Sequence, residues 1–292
     1  MKYMSKTVSY SSYSNWASCP YKWKLSYIDN LRTFSGNIFT IFGSALHEVL
    51  QTYLTVMYND TVKIADALPL DEMLLHRMKH HYTETMENNG GEVICEQSDM
   101  EEFFTQGVTI LEWFKKRRGE YFSKRGYELV GIEVELDYEL PNNINFIGFL
   151  DVVIKDTVRD VIKIYDIKTS TMGWNKYMKA DKLKSDQLLL YKQFYSKQYN
   201  HPIDKIEVEF FIVKRKLYEN VDFPQRRVQK FVPASGTPSV NQTISRLNEF
   251  IEECFTNDGE YNIEHTYRKE ASKKVCRFCE FNQTELCDAG VK

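Results

Sequence analysis

Asp151, Asp166 and Lys168 carry charge inside runs that otherwise read as apolar strands. The first lies in FIGFLDVVI and the other two in VIKIYDIKT. Residues two apart on a strand face the same side, so Asp166 and Lys168 project together. Burying a lone charge is costly unless it is paired or bound to a cation. If the two runs form a hairpin, Asp151 and Asp166 approach each other. Two carboxylates in one place repel, and a divalent cation removes that repulsion; oxygen ligands favour Mg²⁺ or Mn²⁺. Such an ion acidifies water and polarises a phosphodiester. A lysine beside it orients the attacking water and stabilises charge on a phosphate. The alternative is an ordinary ion pair at a sheet edge, and the DxK spacing alone does not separate the two.

The surrounding elements must bring these residues together. Residues 9–30 read as two short helices broken at Cys19-Pro20, because proline suits a first helical turn. Apolar spacing predicts helices over 43–58, 71–88 and 98–124, the last ending in the basic run KKRRGEYFSKRG. Residues 126–140 alternate as a strand, PNN at 141–143 is a turn signal, and 144–156 and 158–170 are the next two strands. A helix over 181–199, a strand over 203–216, a short basic strand near RRVQKFV and a helix over 237–256 follow. Helices before and between the strands imply an α/β sandwich around a mixed sheet. On the helix over 181–199, Gln187 and Tyr191 share a face. In GSALHEVL, His47 follows Gly43 on a helix. Taken singly, each is an ordinary helical residue.

CRFCEFNQTELC supplies Cys276, Cys279 and Cys287, and a CxxC places two thiolates where they can chelate one ion. Cys19 can complete a set of four from the other end of the chain, and four thiolates suit zinc or a [4Fe–4S] cluster. His265 is the substitute ligand in a Cys₃His zinc site. Cys95 and Cys254 read as buried thiols. The 292 residues carry a net charge of −3, with 42% hydrophobic and 27% charged residues, ordinary values for a globular protein. A pI of about 6.1 gives no global sign of nucleic-acid binding, although a local basic groove is enough. No apolar run approaches the ~20 residues that span a bilayer. MKYMSKTVSYSSYSNW lacks the apolar core of a signal peptide. The expectation is a cytoplasmic protein of a bacterial, archaeal or phage-infected cell, with no membrane partner. In that setting six cysteines are a poor disulfide framework.

G-x-x-x-H (Gly43–His47), G-F-L-D (Gly148–Asp151), D-I-K-T (Asp166–Thr169) and Q-L-L-L-Y (Gln187–Tyr191) occur in that order. The set resembles the RecB-like branch of the PD-(D/E)XK nuclease superfamily, over roughly residues 9–290. The resemblance implies an αβββαβ core with a mixed central sheet, a helical N-terminal insertion and a C-terminal cysteine cluster. It implies one nuclease domain over 1–292: N-terminal helices with Cys19 at 1–42, a core at 43–235 with a helical insertion at 60–125, and a C-terminal helix and cysteine cluster at 236–292. It implies that His47, Asp151 and Asp166 ligate Mg²⁺ or Mn²⁺ with the Ile167 carbonyl. Lys168 is then the catalytic lysine, and Gln187 and Tyr191 position the site and the nucleic-acid strand. Asp166 stands where many relatives have Glu.

Iron–sulfur members of that branch, CRISPR-associated nucleases among them, have one cysteine before the histidine motif, often in a CP dipeptide, and three after the core. This favours a [4Fe–4S] cluster on Cys19, Cys276, Cys279 and Cys287 over zinc, although the last spacing is x₇ rather than x₅. Such a cluster ties the N-terminal helices to the tail. The implied function is a metal-dependent deoxyribonuclease, an exonuclease acting on DNA ends or single strands in recombination, repair or phage DNA metabolism. The alternative is a non-catalytic DNA-binding or structural subunit of a larger nuclease/helicase or CRISPR-adaptation complex. No GxxxxGK[ST] occurs, so unwinding would need a separate helicase partner. Lys176, Lys179, Lys182 and Lys184 are the expected contacts to nucleic acid, with Trp174 and Tyr177 stacking on unpaired bases. The basic runs at 115–118, 214–216 and 226–230 read as solvated faces.

Overall fold

Alternating and amphipathic runs become elements largely where the pattern places them. The computed structural model describes residues 6–32 and 36–291; residues 1–5, 33–35 and 292 of the expected terminal segments lie outside the described residues. In chain order the elements are β1 (Lys6–Val8), α1 (Tyr10–Ser18), α2 (Pro20–Trp23), α3 (Ile38–Asn59), α4 (Val62–Asp66), α5 (Leu70–Asn88) and α6 (Gln97–Tyr121). Then come β2 (Tyr127–Leu140), β3 (Ile144–Asp156), β4 (Val161–Ser170), α7 (Lys176–Ala180), α8 (Lys182–Gln198), β5 (Ile206–Lys214), β6 (Val228–Phe231), α9 (Thr237–Cys254) and α10 (Lys273–Cys276).

Three local differences have local causes. Helix α3 begins at Ile38 rather than 43, because Asn37 accepts from the Phe39 and Thr40 amides and Thr40 reaches back to the Asn37 amide, a reciprocal cap. Helix α2 lasts one turn and passes into a π-helical turn at Lys24–Ile28. Strand β4 begins at Val161 because Asp160 turns the chain with φ 53°.

The six strands form one mixed sheet. Strands β2 and β3 pair antiparallel along their lengths. On the other edge of β3, the short strand β1, which the sequence pattern does not announce, pairs parallel with Ile144–Phe146. Strand β4 pairs antiparallel only with Val152–Asp156. Strand β5 then runs parallel to β4, and β6 antiparallel to β5. The order α3-β2-β3-β4-α8-β5 is the expected αβββαβ unit.

Helices cover both faces. Tyr13, Trp16, Trp23, Leu188, Phe194 and Phe250 of α1, α2, α8 and α9 pack against one face, and Phe42, Leu46, Leu74, Phe103, Ile110 and Phe114 of α3, α5 and α6 pack against the other. Each such side chain, fully buried, stabilises the fold by about 1.5–3 kcal/mol. Among the described residues no helix is long and apolar enough to cross a membrane.

Two irregularities create the place where chemistry can happen. The first is a fork: between the β1 pairing at Phe146 and the β4 pairing at Val152, residues 147–151 of β3 have no strand neighbour on that edge. The second is a change of face. Leu150 packs with α8 and α9, yet Val152 packs with α3 and α6, although residues two apart on a regular strand share a face. On β2 the same change falls between Ile132 and Val134. Asp151 and Glu133 sit at the two switch points, opposite each other between the Ile132–Val152 and Val134–Leu150 pairs. Glu133 has φ 49°, a left-handed backbone that a non-glycine residue adopts at a cost.

Candidate active site

Asp151 lies at the mouth of the fork. Its Oδ2 accepts a 2.6 Å hydrogen bond from the Ile167 amide, so the carboxylate stands in for the strand neighbour that β3 no longer supplies. In a strand the amide and carbonyl of one residue project to the same edge, so the Ile167 carbonyl also faces the fork, as its expected ligand role requires. From the opposite layer, α3 lowers His47, whose Nε2 is 3.0 Å from Asp151 Oδ2. Burial works to lower the His47 pKa, but the hydrogen bond and charge of Asp151 outweigh it, and the pKa is raised. Gly43, one turn earlier, leaves little room for a side chain: a Cβ there would stand 3.1 Å from Thr169 Oγ1.

Glu133 completes this side of the site and escapes the sequence reading. Its Oε1 is 3.8 Å from His47 Nδ1. One ligand atom each from His47, Glu133 and Asp151 lies within 4.8 Å of the others, the spacing of a metal triad. Gln51, one turn after His47, donates to Glu133 and to the Asp151 carbonyl, and its Nε2 is 3.3 Å from His47 Nε2. Within GIEVELDYEL, Glu133 is one acid among several in an alternating strand. The sequence signal was Gly131, which marks the register shift two residues earlier.

Asp166 and Lys168 project from β4 toward α8. Asp166 is 1% exposed. Lys168 Nζ donates to Asp166 Oδ1 at 3.1 Å and stands 2.8 Å from Oδ2. Oδ2 is buried and receives no further polar group beside that ammonium, so it has a second lone pair free for a cation. Desolvation raises the Asp166 pKa to about 7, with Lys168 opposing and Asp151 adding to the rise. For Lys168 burial acts downward, but Asp166 and Asp151 prevail and hold the ammonium charged well above its ordinary range. A buried carboxylate beside a second acid, an imidazole and a fixed ammonium fits a divalent metal. His47, Glu133, Asp151 and Asp166 are the side chains that would hold it.

Helix α8 closes the site. Gln187 Nε2 is hydrogen-bonded to the Tyr191 hydroxyl at 3.3 Å, and Tyr191 packs against Gly148, where a Cβ would meet its ring at 3.0 Å. The electrostatic influence of Asp166, Lys168 and Asp151 reaches Tyr191. The N-terminal helix does more than pack. Tyr10 donates to the Leu183 carbonyl at 2.8 Å, and Tyr13 donates to Asp186 Oδ2 at 2.8 Å.

The expected nucleic-acid contacts divide. Tyr177 is 73% exposed, and Lys176 and Lys182 are exposed while Lys179 and Lys184 are half-buried. Trp174 corrects the expectation of a stacking ring. It is 8% exposed, its ring rests on Phe210 and Phe231, and Lys184 lies 5.3 Å above it. An indole enclosed in the core has no free face for a base.

Cys19, Cys276, Cys279 and Cys287 line one apolar pocket between α2 and the tail. The Glu270 amide donates to Cys19 Sγ at 3.5 Å. The longer last spacing is taken up by a turn at Gln283, φ 57°, where the Gln283 amide donates to the Cys287 carbonyl. His265 lies elsewhere, 3.3 Å from Glu253 and edge-on to Tyr267, which removes it from the ligand set.

Among solved structures, the chain is similar to a candidate exonuclease from Eubacterium rectale, at 12% identity and a TM-score of 0.53, with 96% of this chain and 89% of that chain covered. At that identity the likeness concerns the fold. A second structure, SSO0001, is similar at 12% identity, with coverage of 98% and 88%; its TM-score of 0.42 is too low to carry an argument. No curated protein matches the sequence. The family model of the PD-(D/E)XK nuclease superfamily, in contrast, matches residues 7–287. Since that match runs through the His47, Asp151, Asp166–Lys168 and Gln187–Tyr191 positions and nearly the whole chain, the protein belongs to this superfamily of metal-dependent nucleases.

Proposed function

We propose that the protein is an exodeoxyribonuclease of the RecB-like type, using Mg²⁺ or Mn²⁺ to hydrolyse phosphodiester bonds at DNA ends or in single strands. The observation that carries this reading is the fork in the sheet. There Asp166 Oδ2 is buried with only the Lys168 ammonium, 2.8 Å away, as its polar neighbour. The bound cation would supply Lewis acidity toward a phosphodiester. Lys168 presents a permanent positive charge to the scissile phosphate and orients the water. Its ion pair with Asp166 holds that ammonium in place before substrate arrives, so no reorganisation is needed during reaction. Gln187 and Tyr191 line the wall against which the strand is placed, and the lysines of α7 and the start of α8 meet its phosphates. The exonuclease name of the fold neighbour from Eubacterium rectale agrees with action at ends. Recombination, repair or phage DNA metabolism is the setting, with a separate helicase where a duplex must be opened.

In the same reading the four cysteines hold a [4Fe–4S] cluster. Their side chains line one apolar pocket, and four thiolates suit such a cluster.

The test is cleavage of 5′- and 3′-labelled single- and double-stranded DNA with Mg²⁺ or Mn²⁺. Lys168→Ala is expected to lower turnover by about 10²–10³-fold, the scale of losing one preorganised charge. Wild-type turnover by that variant would falsify the assignment.

A further inference from the structure

The outer edge of the sheet, beyond β5 and β6, carries a second feature that the catalytic fork does not use. A groove of about 550 Å³ runs there, lined by Glu120, Tyr121, Lys214, Arg226, Gln229 and Lys230 among others. Its position relative to Lys168 follows from the ladder. Lys168 pairs with Ile212, and Ile212 pairs with Gln229, so the groove begins two strand spacings, about 10 Å, from the catalytic lysine. Ser170, two residues after Lys168, pairs with Lys214 and so shares its face.

Lys230 is paired with Glu209, but other charge there is uncompensated. Among the described residues Lys179, Lys214 and Arg226 form no ion pair. Burial lowers the Lys214 pKa, and the nearby charges of Arg227 and Lys179 lower it further. Glu120 of the lining is paired with Arg117, so these like charges are left to be stabilised by an anion that spans them.

The loop that leads into Arg226 of the groove carries stacking chemistry. The loop from Lys216 to Arg227 leaves the end of β5 that lies nearest the site. It exposes Tyr218 and Phe223 at 60% and 59%. It is not slack: Gln225 Oε1 accepts from the Tyr218 amide and Gln225 Nε2 donates to the Tyr218 carbonyl, both at 2.7 Å. Two exposed rings on a hydrogen-bonded loop that runs into Arg226 of the groove match the pattern of a single-strand site, in which phosphates meet cations and bases meet aromatic faces.

We propose that this β6-edge groove binds a single strand of nucleic acid continuous with the strand at the fork, with Lys179, Lys214 and Arg226 on its phosphates and Tyr218 and Phe223 on its unpaired bases. The inference rests on the nuclease reading and extends it to the path of the substrate.

The experiment uses the full chain in three forms: wild type, Lys214→Glu with Arg226→Glu, and Tyr218→Ala with Phe223→Ala. Thymidine 5′-p-nitrophenyl phosphate with Mn²⁺ reports the fork alone, because it is too short to reach the groove. Anisotropy of fluorescein-labelled dT₂₀ and of a blunt 20-base-pair duplex in Ca²⁺, across a salt series, reports binding. The expected result is unchanged turnover of the small ester by all three forms. The charge-reversed form is expected to bind dT₂₀ at least about tenfold more weakly, with a salt slope reduced by about 1.4, the share of two single-strand phosphate contacts. The aromatic variant is expected to lose affinity for dT₂₀ and not for the duplex. Wild-type dT₂₀ affinity in the charge-reversed form, with the small ester still cleaved, overturns the groove and leaves the nuclease intact. Equal losses on dT₂₀ and duplex in the aromatic variant overturn the base-stacking role. Wild-type protein that cleaves neither the ester nor DNA overturns the nuclease reading, and the groove with it.

Discussion

Glu133 holds a left-handed backbone, φ 49°, in the middle of a strand, and this places its carboxylate beside His47 and Asp151. For a non-glycine residue that conformation costs about 1–2 kcal/mol, and backbone strain of this kind gathers at functional sites. Stability and metal binding should therefore move in opposite directions on substitution. Glu133→Gly relieves the strain, and after the extra chain entropy of glycine, about 0.5–1 kcal/mol, the fold should gain up to about 1 kcal/mol. The same change should weaken Mn²⁺ binding by at least the ~10–100-fold typical of disturbing a metal's surroundings. Glu133→Gln should lose the affinity without gaining the stability. Urea midpoints and calorimetric Mn²⁺ titrations of the two variants read both quantities; a glycine variant with undiminished affinity removes Glu133 from the metal set. Asp151, Asp166 and Lys168 were legible in the sequence because a charge in an apolar strand is anomalous wherever the strand lies. Glu133 was not, because an acid in an alternating strand is ordinary until the backbone turns it. Trp174 misled for the reverse reason: next to lysines it reads as a stacking ring, and only tertiary packing shows its faces to be taken.

At the scale of elements, the pattern of the sequence supplies each strand and helix of the αβββαβ unit but not the fork. The fork depends on β1 pairing with one half of β3 and β4 with the other, and three residues of β1 carry no periodic signal. The site further depends on how α8 is held. Asp186, just before Gln187, is 1% exposed. It receives Tyr13 from α1 at 2.8 Å, Thr243 from α9 at 2.8 Å and Arg246 from α9 at 2.5 Å. Three polar groups from two helices converge on this one buried carboxylate of a third, fixing the rotation of α8 and so the direction of Gln187 and Tyr191. Removing one partner of a buried ion pair typically costs 3–5 kcal/mol. Arg246 keeps 24% of its side chain exposed, so Asp186→Ala should fall at the low end, about 3 kcal/mol. Because the network orients the wall of the site without touching metal or phosphate, residual folded protein should show weakened substrate affinity with metal affinity unchanged. A urea melt that shifts by less than about 1 kcal/mol, the worth of a single neutral hydrogen bond, would show that α8 is held by apolar packing alone.

At the scale of the molecule, the two ends of the chain meet. Cys19 lies against the tail cysteines in one pocket, Tyr21 donates through its amide to the Arg268 carbonyl and through its hydroxyl to the Leu286 carbonyl, and Tyr10 of the same N-terminal segment reaches the Leu183 carbonyl at the start of α8. A covalent clip between Cys19 and the tail closes most of the chain into a loop, which constrains the unfolded state. Crosslinks over long loops stabilise by about 2–4 kcal/mol, and a domain of this size moves its melting temperature by about 2–4 °C per kcal/mol. With the proposed [4Fe–4S] cluster as that clip, Cys19→Ser should reduce iron and acid-labile sulfide relative to wild type and lower the melting temperature by about 5–10 °C. The N-terminal helices should become the first site of limited proteolysis, because they lose their tie to the tail. Chelation of iron from the wild-type protein should reproduce the shift, whereas in Cys95→Ser, which lies outside the pocket, colour and melting temperature should match wild type. A Cys19→Ser protein that keeps its iron and its melting temperature would place the clip elsewhere. One that loses iron but not stability would leave the joining of the two ends to the Tyr21 and Tyr10 hydrogen bonds and the packing of Trp23 against Phe250 and Tyr267.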